Sequence, residues 1–79
     1  MLSENERQAY QEAIDGLLAR SMRNIEMARQ RGLDAQRRDM IARAEGFLAQ
    51  ARELRRADPV SAKSLATRAE LLSREAASR

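Results

Sequence analysis

The chain has 79 residues, with 15 basic and 12 acidic side chains, a formal net charge of +3, and neither histidine nor cysteine. A chain of this length has room for one domain, and its single core is close to the lower limit for independent stability. The missing residue types include the commonest general base, the thiolate nucleophile and the thiolate metal ligand. We therefore expect a protein that is not an enzyme and that holds neither a metal ion nor a cofactor.

Hydropathy argues against a membrane protein. No apolar run approaches the roughly 18 residues that a membrane-spanning helix needs, and the first residues lack the basic-then-apolar order of a signal peptide. The expectation is a soluble chain without a membrane span. The absence of cysteine does not identify a compartment, so the cytoplasm is the default and the periplasm stays open. Residues 1–79 should form a single helical domain, either alone or as a segment of a larger protein.

The first predicted helix runs from about residue 4 to about residue 31. It opens with Ser3-x-x-Glu6, the pattern of a capping box, and Gly32 supplies a left-handed residue at its end. Apolar and small side chains recur at spacings of three and four, which places them on one core-facing side: Tyr10, Ile14, Leu17, Leu18, Ser21, Met22, Ile25 and Ala28.

The second predicted helix covers about residues 35–57 and has Asp34 as its N-terminal cap. Its inner face shows the most regular periodicity of the chain, with Met40, Ala44, Phe47, Ala51 and Leu54, flanked by Ile41 and Leu48. A row of small residues lies on the opposite side: Ala42, Gly46 and Ala49. This row would let another helix approach closely.

The third predicted helix covers about residues 59–77. Asp58 caps it, and Pro59 stands at the first helical position, where a missing N–H does no harm. Its inner face consists mainly of small side chains, namely Ala62, Leu65, Ala66, Ala69, Leu72 and Ala76. We expect this helix to bury little volume for its length.

Two short connections between consecutive amphipathic helices imply antiparallel neighbours. The predicted fold is an all-α, antiparallel, up-down-up three-helix bundle. It should be elongated, because a first helix of about 28 residues spans roughly 42 Å. The alternative is an open helical-hairpin array, in which the third helix packs sideways and leaves a concave face free.

The stretch from Ala51 to Ala69, with Asp58-Pro59 at its centre, resembles the junction between successive tetratricopeptide units. In that family a helix rich in small residues ends in an Asp-Pro turn, and the next helix begins with an alanine pattern. The stretch departs from the family in the spacing before Asp58, in the missing aromatic and glycine positions and in the length of the first helix. The resemblance therefore implies a helical hairpin and no more.

Several apolar or small positions lie outside the narrowest predicted core, and they are the candidate partner contacts: Met27, Ala42, Gly46, Ala49, Val60 and Leu71. Apolar surface that a minimal bundle does not need is where a partner would bind. The predicted function is accordingly a non-enzymatic helical protein–protein interaction or structural module. It would act as an adaptor or by self-association.

The alternative function is a small, basic, nucleic-acid-binding regulator. An up-down-up bundle brings arginines together at one end, and the candidate anion contacts are Arg29, Arg31, Arg37, Arg38 and Arg74, with Arg79 nearby. Acidic residues are interleaved with this cluster, and the only two aromatic residues lie on core faces. A nucleic-acid site normally has less acid and some stacking aromatics, so the protein-contact function is preferred.

Many of the arginines also have a carboxylate one helical turn away, which predicts a surface of local ion pairs. The expected pairs are Asp34 with Arg37 and Arg38, Asp39 with Arg43, Glu53 with Arg56, and Glu70 with Arg74. Glu12 and Asp15 form the closest pair of carboxylates. Since no third ligand accompanies them, we expect an exposed acidic patch and no metal site there.

Overall fold

The structure is a computed structural model that describes residues 1–79 and contains three helices: α1 (Glu4–Gln30), α2 (Ala35–Leu54) and α3 (Pro59–Ser78). Helix α3 packs along both α1 and α2, which confirms the three-helix bundle. The molecule measures 44 × 15 × 13 Å, so the elongated shape is confirmed as well.

The predicted helix caps are all present. Ser3 and Glu6 form the capping box of α1, with Ser3 N–H donating to Glu6 Oε1 at 2.9 Å and Glu6 N–H donating to Ser3 Oγ at 3.1 Å. Asp34 caps α2, and Asp58 caps α3 ahead of Pro59. Gly32 has a φ of +103°, the left-handed conformation that ends α1.

Helix α2 ends at Leu54, three residues before the predicted end at about residue 57. Asp58 precedes a proline and adopts φ −144°, ψ 74°, a conformation incompatible with a continued helix. Its N–H still donates to Leu54 O at 2.8 Å. The carbonyls of Arg55 and Arg56 turn to α1 and accept from Gln11 Nε2 and Arg7 Nη1 at 3.4 and 2.7 Å.

Each helix buries a row of residues at alternating spacings of four and three. The rows are Ile14, Leu18, Ser21, Ile25 and Ala28 on α1; Arg37, Ile41, Ala44, Leu48 and Ala51 on α2; and Ala62, Ala66, Ala69, Ser73 and Ala76 on α3. A mean spacing of 3.5 residues keeps a buried seam facing its neighbour when helices pack nearly parallel. The three rows together form the core.

The small side chains of α3 place this helix at the centre of the packing. Its buried row contains only alanine and serine, which lets the axes of α1 and α2 approach it closely. Helices α1 and α2 contact each other sparsely by comparison. The buried side chains of α3 are small, as predicted. Even so, α3 is the helix against which both α1 and α2 pack.

Burial differs from the prediction at several positions. Met22 was placed on the core face and is instead 53% exposed, because it lies at the edge of α1 that faces α2, where the two helices do not close. Leu65, Leu72 and Phe47 are half-buried and pack against the core as predicted, and Tyr10 is half-buried. A methyl group added at Gly46 would meet no atom within 4 Å, so no helix of this chain approaches that position closely.

Four buried polar or charged residues lie inside the bundle: Ser21, Arg37, Glu70 and Ser73. The Ser21 hydroxyl donates to Leu17 O at 2.7 Å, and the Ser73 hydroxyl donates to Glu70 O at 3.0 Å. Every buried side-chain nitrogen and oxygen has a hydrogen-bond partner. The cost of burying these groups is therefore largely offset.

Two capping carboxylates have lowered pKa values. The backbone N–H of Ser3, followed by its hydroxyl, lowers the pKa of Glu6 below 4.5. Hydrogen bonding from the Ser61 side chain and then from its backbone N–H lowers the pKa of Asp58 below 3.8. In both cases the charged carboxylate is the form that the cap stabilises.

Acid is therefore expected to weaken both caps. Because folding lowers these pKa values, the stabilisation is complete above the unfolded-state values and is lost as the pH falls through the lower folded-state values. A double variant, Glu6→Gln with Asp58→Asn, keeps capping groups that do not titrate. Its Tm should fall less than that of the wild type between about pH 5 and pH 2. Equal losses in the two proteins would contradict the assignment.

Candidate protein-contact surfaces

A groove runs between α1 and α2 on the side that α3 does not cover. It has a volume of about 350 Å³ and is lined by Met22, Ile25, Glu26, Arg29, Glu45, Leu48 and Arg52. The apolar floor consists of the buried residues Ile25 and Leu48, with the half-exposed Met22 beside them. The rims carry two carboxylates and two guanidinium groups. The groove is thus apolar at its base and carries both signs of charge at its edges.

One ion pair joins α1 to α2 in the groove, and a second joins α1 to the turn that follows α2. Arg29 Nη2 lies 2.7 Å from Glu45 Oε2 at one end. At the other end, Arg55 donates to both oxygens of Asp15, at 2.7 and 2.8 Å. The Asp15 hydrogen bond raises the pKa of Arg55 above its usual value. Glu12 and Asp15 are both exposed, as the sequence predicted, but Arg55 neutralises the charge of Asp15.

Inside the groove, the guanidinium of Arg52 contacts the side chain of Met22. Arg52 Nη2 donates to Met22 Sδ at 3.2 Å, a weak hydrogen bond at an exposed site. This contact crosses the gap between the two helices without filling it. A partner side chain entering the groove would meet a polarizable thioether and the apolar floor next to it.

The six predicted partner-contact residues are all exposed, but they do not belong to one element. Met27 lies on α1, Val60 and Leu71 lie on α3, and each of these three side chains is about half exposed, at 54%, 50% and 54%. The small row of Ala42, Gly46 and Ala49 lies on α2. Ala42 and Ala49 are three and four residues from Glu45, so the row borders the groove rim.

Arg37, predicted as an anion contact, is buried and serves the fold. Its Nε donates to Ala76 O at 3.1 Å, and its Nη1 donates to Gly32 O at 2.7 Å. Its Nη2 donates to Arg79 O at 2.6 Å. The side chain is 9% exposed and lies 3.9 Å from Asp34. Its guanidinium donors are committed to carbonyls at the ends of two helices, which corrects the interpretation of Arg37 as free for a ligand.

The structure places Arg31 and Arg38 close to Arg37, at the end of the bundle where the sequence predicted them. Arg31 Nε donates to Arg79 O at 2.9 Å, which also locates the end of α3 there. The expected pair between Asp34 and Arg38 does not form, and Arg38 takes part in none of the ion pairs. Arg31 is likewise absent from the ion pairs, so Arg31 and Arg38 are the two candidate anion contacts whose charges no carboxylate neutralises.

The remaining candidate anion contacts are neutralised within the chain. Arg29 pairs with Glu45, as described above, and Arg74 lies 2.6 Å from Glu70. Among the other expected local pairs, Asp39–Arg43 forms at 3.1 Å, while Glu53–Arg56 does not form. The arginine-rich end is therefore less cationic than the sequence alone indicates.

A shallow hollow between α1 and α3 escaped the sequence analysis. It is lined by Tyr10, Val60, Lys63, Ser64, Thr67 and Arg68. Lys63 Nζ lies 5.3 Å from the centroid of the Tyr10 ring, within range of a cation–π contact. The lone lysine thus covers the aromatic ring that would otherwise be the hollow's apolar feature.

Two further observations bear on the chemistry of the surface. No group of three or more carboxylates comes together as a candidate metal position. None of the three helices combines the length and the apolar character that crossing a bilayer requires.

Comparison with protein-family models, with curated proteins and with solved structures found no match to this chain.

Proposed function

We propose that this chain is a non-enzymatic helical module that binds a protein along the open side of the α1–α2 pair. The observation that carries the proposal is the groove between these helices. Helix α3 covers α1 and α2 on one side of the pair. On the opposite side, the apolar floor of the groove lies beneath the half-exposed Met22. A helix or loop of a partner would complete the packing that α1 and α2 do not provide for each other.

The charged rims of the groove give it a means of selecting a partner. Glu26 and Glu45 lie close to Arg29 and Arg52, so the rim carries no excess of either sign. A partner with matching opposite charges would be favoured, and one with like charges in the same positions would be rejected. The adjacent small residues, Ala42 and Ala49, would let its backbone come near α2.

Site-specific photo-crosslinking can test the proposal, because the chain offers a matched pair of methionines. Met22 and Met27 are 53% and 54% exposed and lie on the same helix, but only Met22 lines the groove. With p-benzoylphenylalanine at position 22, illumination in cells of the source organism should give discrete protein adducts. The same group at position 27 should give none of these.

The affinity of a captured partner then provides the quantitative measurement. Met22→Glu should weaken binding by at least about tenfold, since it places a carboxylate on the apolar floor, whereas Met27→Glu should leave the affinity unchanged. Both variants should keep the helicity of the wild type, because both side chains are half exposed. Identical adducts from the two positions, or no adducts at either, would refute the groove as the binding surface.

Nucleic-acid binding through the arginine-rich end is the alternative, and it has less support. Arg37 is buried, while Arg29 and Arg74 are paired with carboxylates, which leaves few free charges for phosphates. A DNA affinity that falls steeply with salt and is reduced by Arg38→Glu would favour this alternative.

A further inference from the structure

We infer that one partner of the α2 surface is a second copy of this chain, bound through an antiparallel contact between the two α2 helices. This inference rests on the proposed function and specifies the partner. It follows from the order of charges along α2, which reverses sign about a point near Leu48 and Ala49. A helix with such an order is complementary to an antiparallel copy of itself.

The charges nearest this point set the register. Glu45 and Arg52 each lie about 5 Å along the helix axis from the midpoint between Leu48 and Ala49. When two α2 helices lie antiparallel about that midpoint, Glu45 of each copy faces Arg52 of the other. Both residues line the α1–α2 groove, so they lie on the same flank of α2. Because matching flanks meet in a two-fold antiparallel pair, both contacts form at once.

The next charges outward obey the same rule. Arg43 and Glu53 each lie about 7.5 Å from Leu48, on opposite sides of it along the axis. The antiparallel copy therefore places Arg43 at the same height as Glu53, although the two positions are about 80° apart around the helix. Neither Glu53 nor Arg52 takes part in an intramolecular ion pair. Arg43 already pairs with Asp39 at 3.1 Å, so the register rests mainly on Glu45 and Arg52, and the outer charges add only an axial order compatible with it.

The residues between these charges leave room for the second helix. Space around Gly46 is open to 4 Å from where a methyl group would stand, and Ala42 and Ala49 are exposed. Small side chains at the centre allow the two α2 axes to come close enough for glutamate and arginine side chains to reach across. The row of small residues allows the two α2 helices to approach each other, and the charge pairs determine their antiparallel orientation.

Existing contacts need not break when the second copy binds. Glu45 uses Oε2 to bind Arg29, which leaves lone pairs on the carboxylate for Arg52 of the other copy. Arg52 donates one N–H to Met22 Sδ and keeps its other donors. One pair of 20-residue helices makes a small, polar interface, so the association should be weak and sensitive to salt.

Light scattering coupled to size-exclusion chromatography is the test, performed at low salt from about 10 μM to about 1 mM. The wild type should shift from monomer to dimer over this range. Glu45→Arg would place two arginines opposite each other, and Arg52→Glu would place two glutamates opposite each other. Each variant alone should need at least about tenfold more protein to dimerise. Mixed one to one they should associate, because every facing pair then has opposite charges.

Two charge reversals away from α2 provide matched controls. Glu12→Arg and Arg68→Glu change the net charge by the same amounts, and both side chains are exposed and outside the ion pairs. They should dimerise like the wild type. Thermal unfolding at low concentration checks that all variants fold, which matters for Glu45→Arg because position 45 lies beside Arg29.

The outcomes separate this inference from the proposed function. A wild type that stays monomeric to about 1 mM, a one-to-one mixture that fails to associate, or controls that weaken dimerisation equally would each overturn the second copy as partner. Adducts from position 22 with a different protein, together with a monomeric wild type, would overturn the inference and support the proposed function. No adducts and no dimer would overturn both.

Discussion

Replacing Arg37 with alanine is expected to lower the free energy of unfolding by about 2 to 4 kcal/mol. The guanidinium of Arg37 donates to the carbonyls of Arg31 and Gly32 at the end of α1, and to those of Ala76 and Arg79 at the end of α3. One side chain of α2 therefore ties down the last carbonyls of both other helices. Those carbonyls carry the negative end of each helix dipole, which a buried cation stabilises.

The loss of stability in Arg37→Ala should come from backbone carbonyls left without a donor as much as from the missing contacts of the arginine side chain. Once Arg37 is removed, the carbonyl of the buried Ala76 loses its donor, and the space of a long side chain stays empty. Arg37→Lys should recover only part of the loss, because a single ammonium cannot reproduce the fork of donors that serves both helix ends.

Urea unfolding followed by circular dichroism measures this difference directly. For a chain of this size, each kcal/mol corresponds to about 4 to 8 °C in Tm. Arg38→Ala is the matched control, since Arg38 is the next residue, is exposed and is not ion-paired, and its change should stay within about 0.5 kcal/mol. If the two alanine variants lose similar stability, Arg37 does not hold the helix ends together.

The role of Arg37 also shows where sequence reasoning reaches its limit. The positions Arg37, Ile41 and Ala44 continue the four-and-three spacing of the buried row on α2, so periodicity alone would place residue 37 in the core. An arginine at that position normally indicates the surface. Its burial depends on the free carbonyls of two other helices meeting around one guanidinium, and this coincidence exists only in the assembled bundle.

The caps and breaks were predictable because they are local. Each signal is contained within four residues of sequence, as in Ser3 with Glu6 and Asp58 with Pro59. Helices α1 and α3 begin where these signals predict. The groove was not predictable in the same way. Met22 lies on the apolar stripe of α1, and its exposure follows from how far α2 lies from α1. The distance between α1 and α2 depends on how α3 packs between them.

Substituting Ala66 by leucine is expected to lower the free energy of unfolding by about 1 to 3 kcal/mol. Ala66 is fully buried in the middle of the α3 row, where both α1 and α2 approach. Leucine is nearly as good a helix former as alanine, so the helix itself should be unaffected. The added carbons would force the helix axes apart along the whole seam, because a rigid helix cannot yield at one residue only.

Ala19→Leu provides the control for this last substitution, since Ala19 is exposed on α1 and should change stability by no more than about 0.5 kcal/mol. Thermal and urea unfolding of both variants would give the comparison.

The sign of the change in stability at Ala66 also separates two architectures. In an open array, α3 would have one free side, and a larger apolar side chain could gain contacts by turning towards it. In the observed bundle α1 and α2 occupy both sides of Ala66, so a stabilising leucine would contradict the position of α3 between its two neighbours.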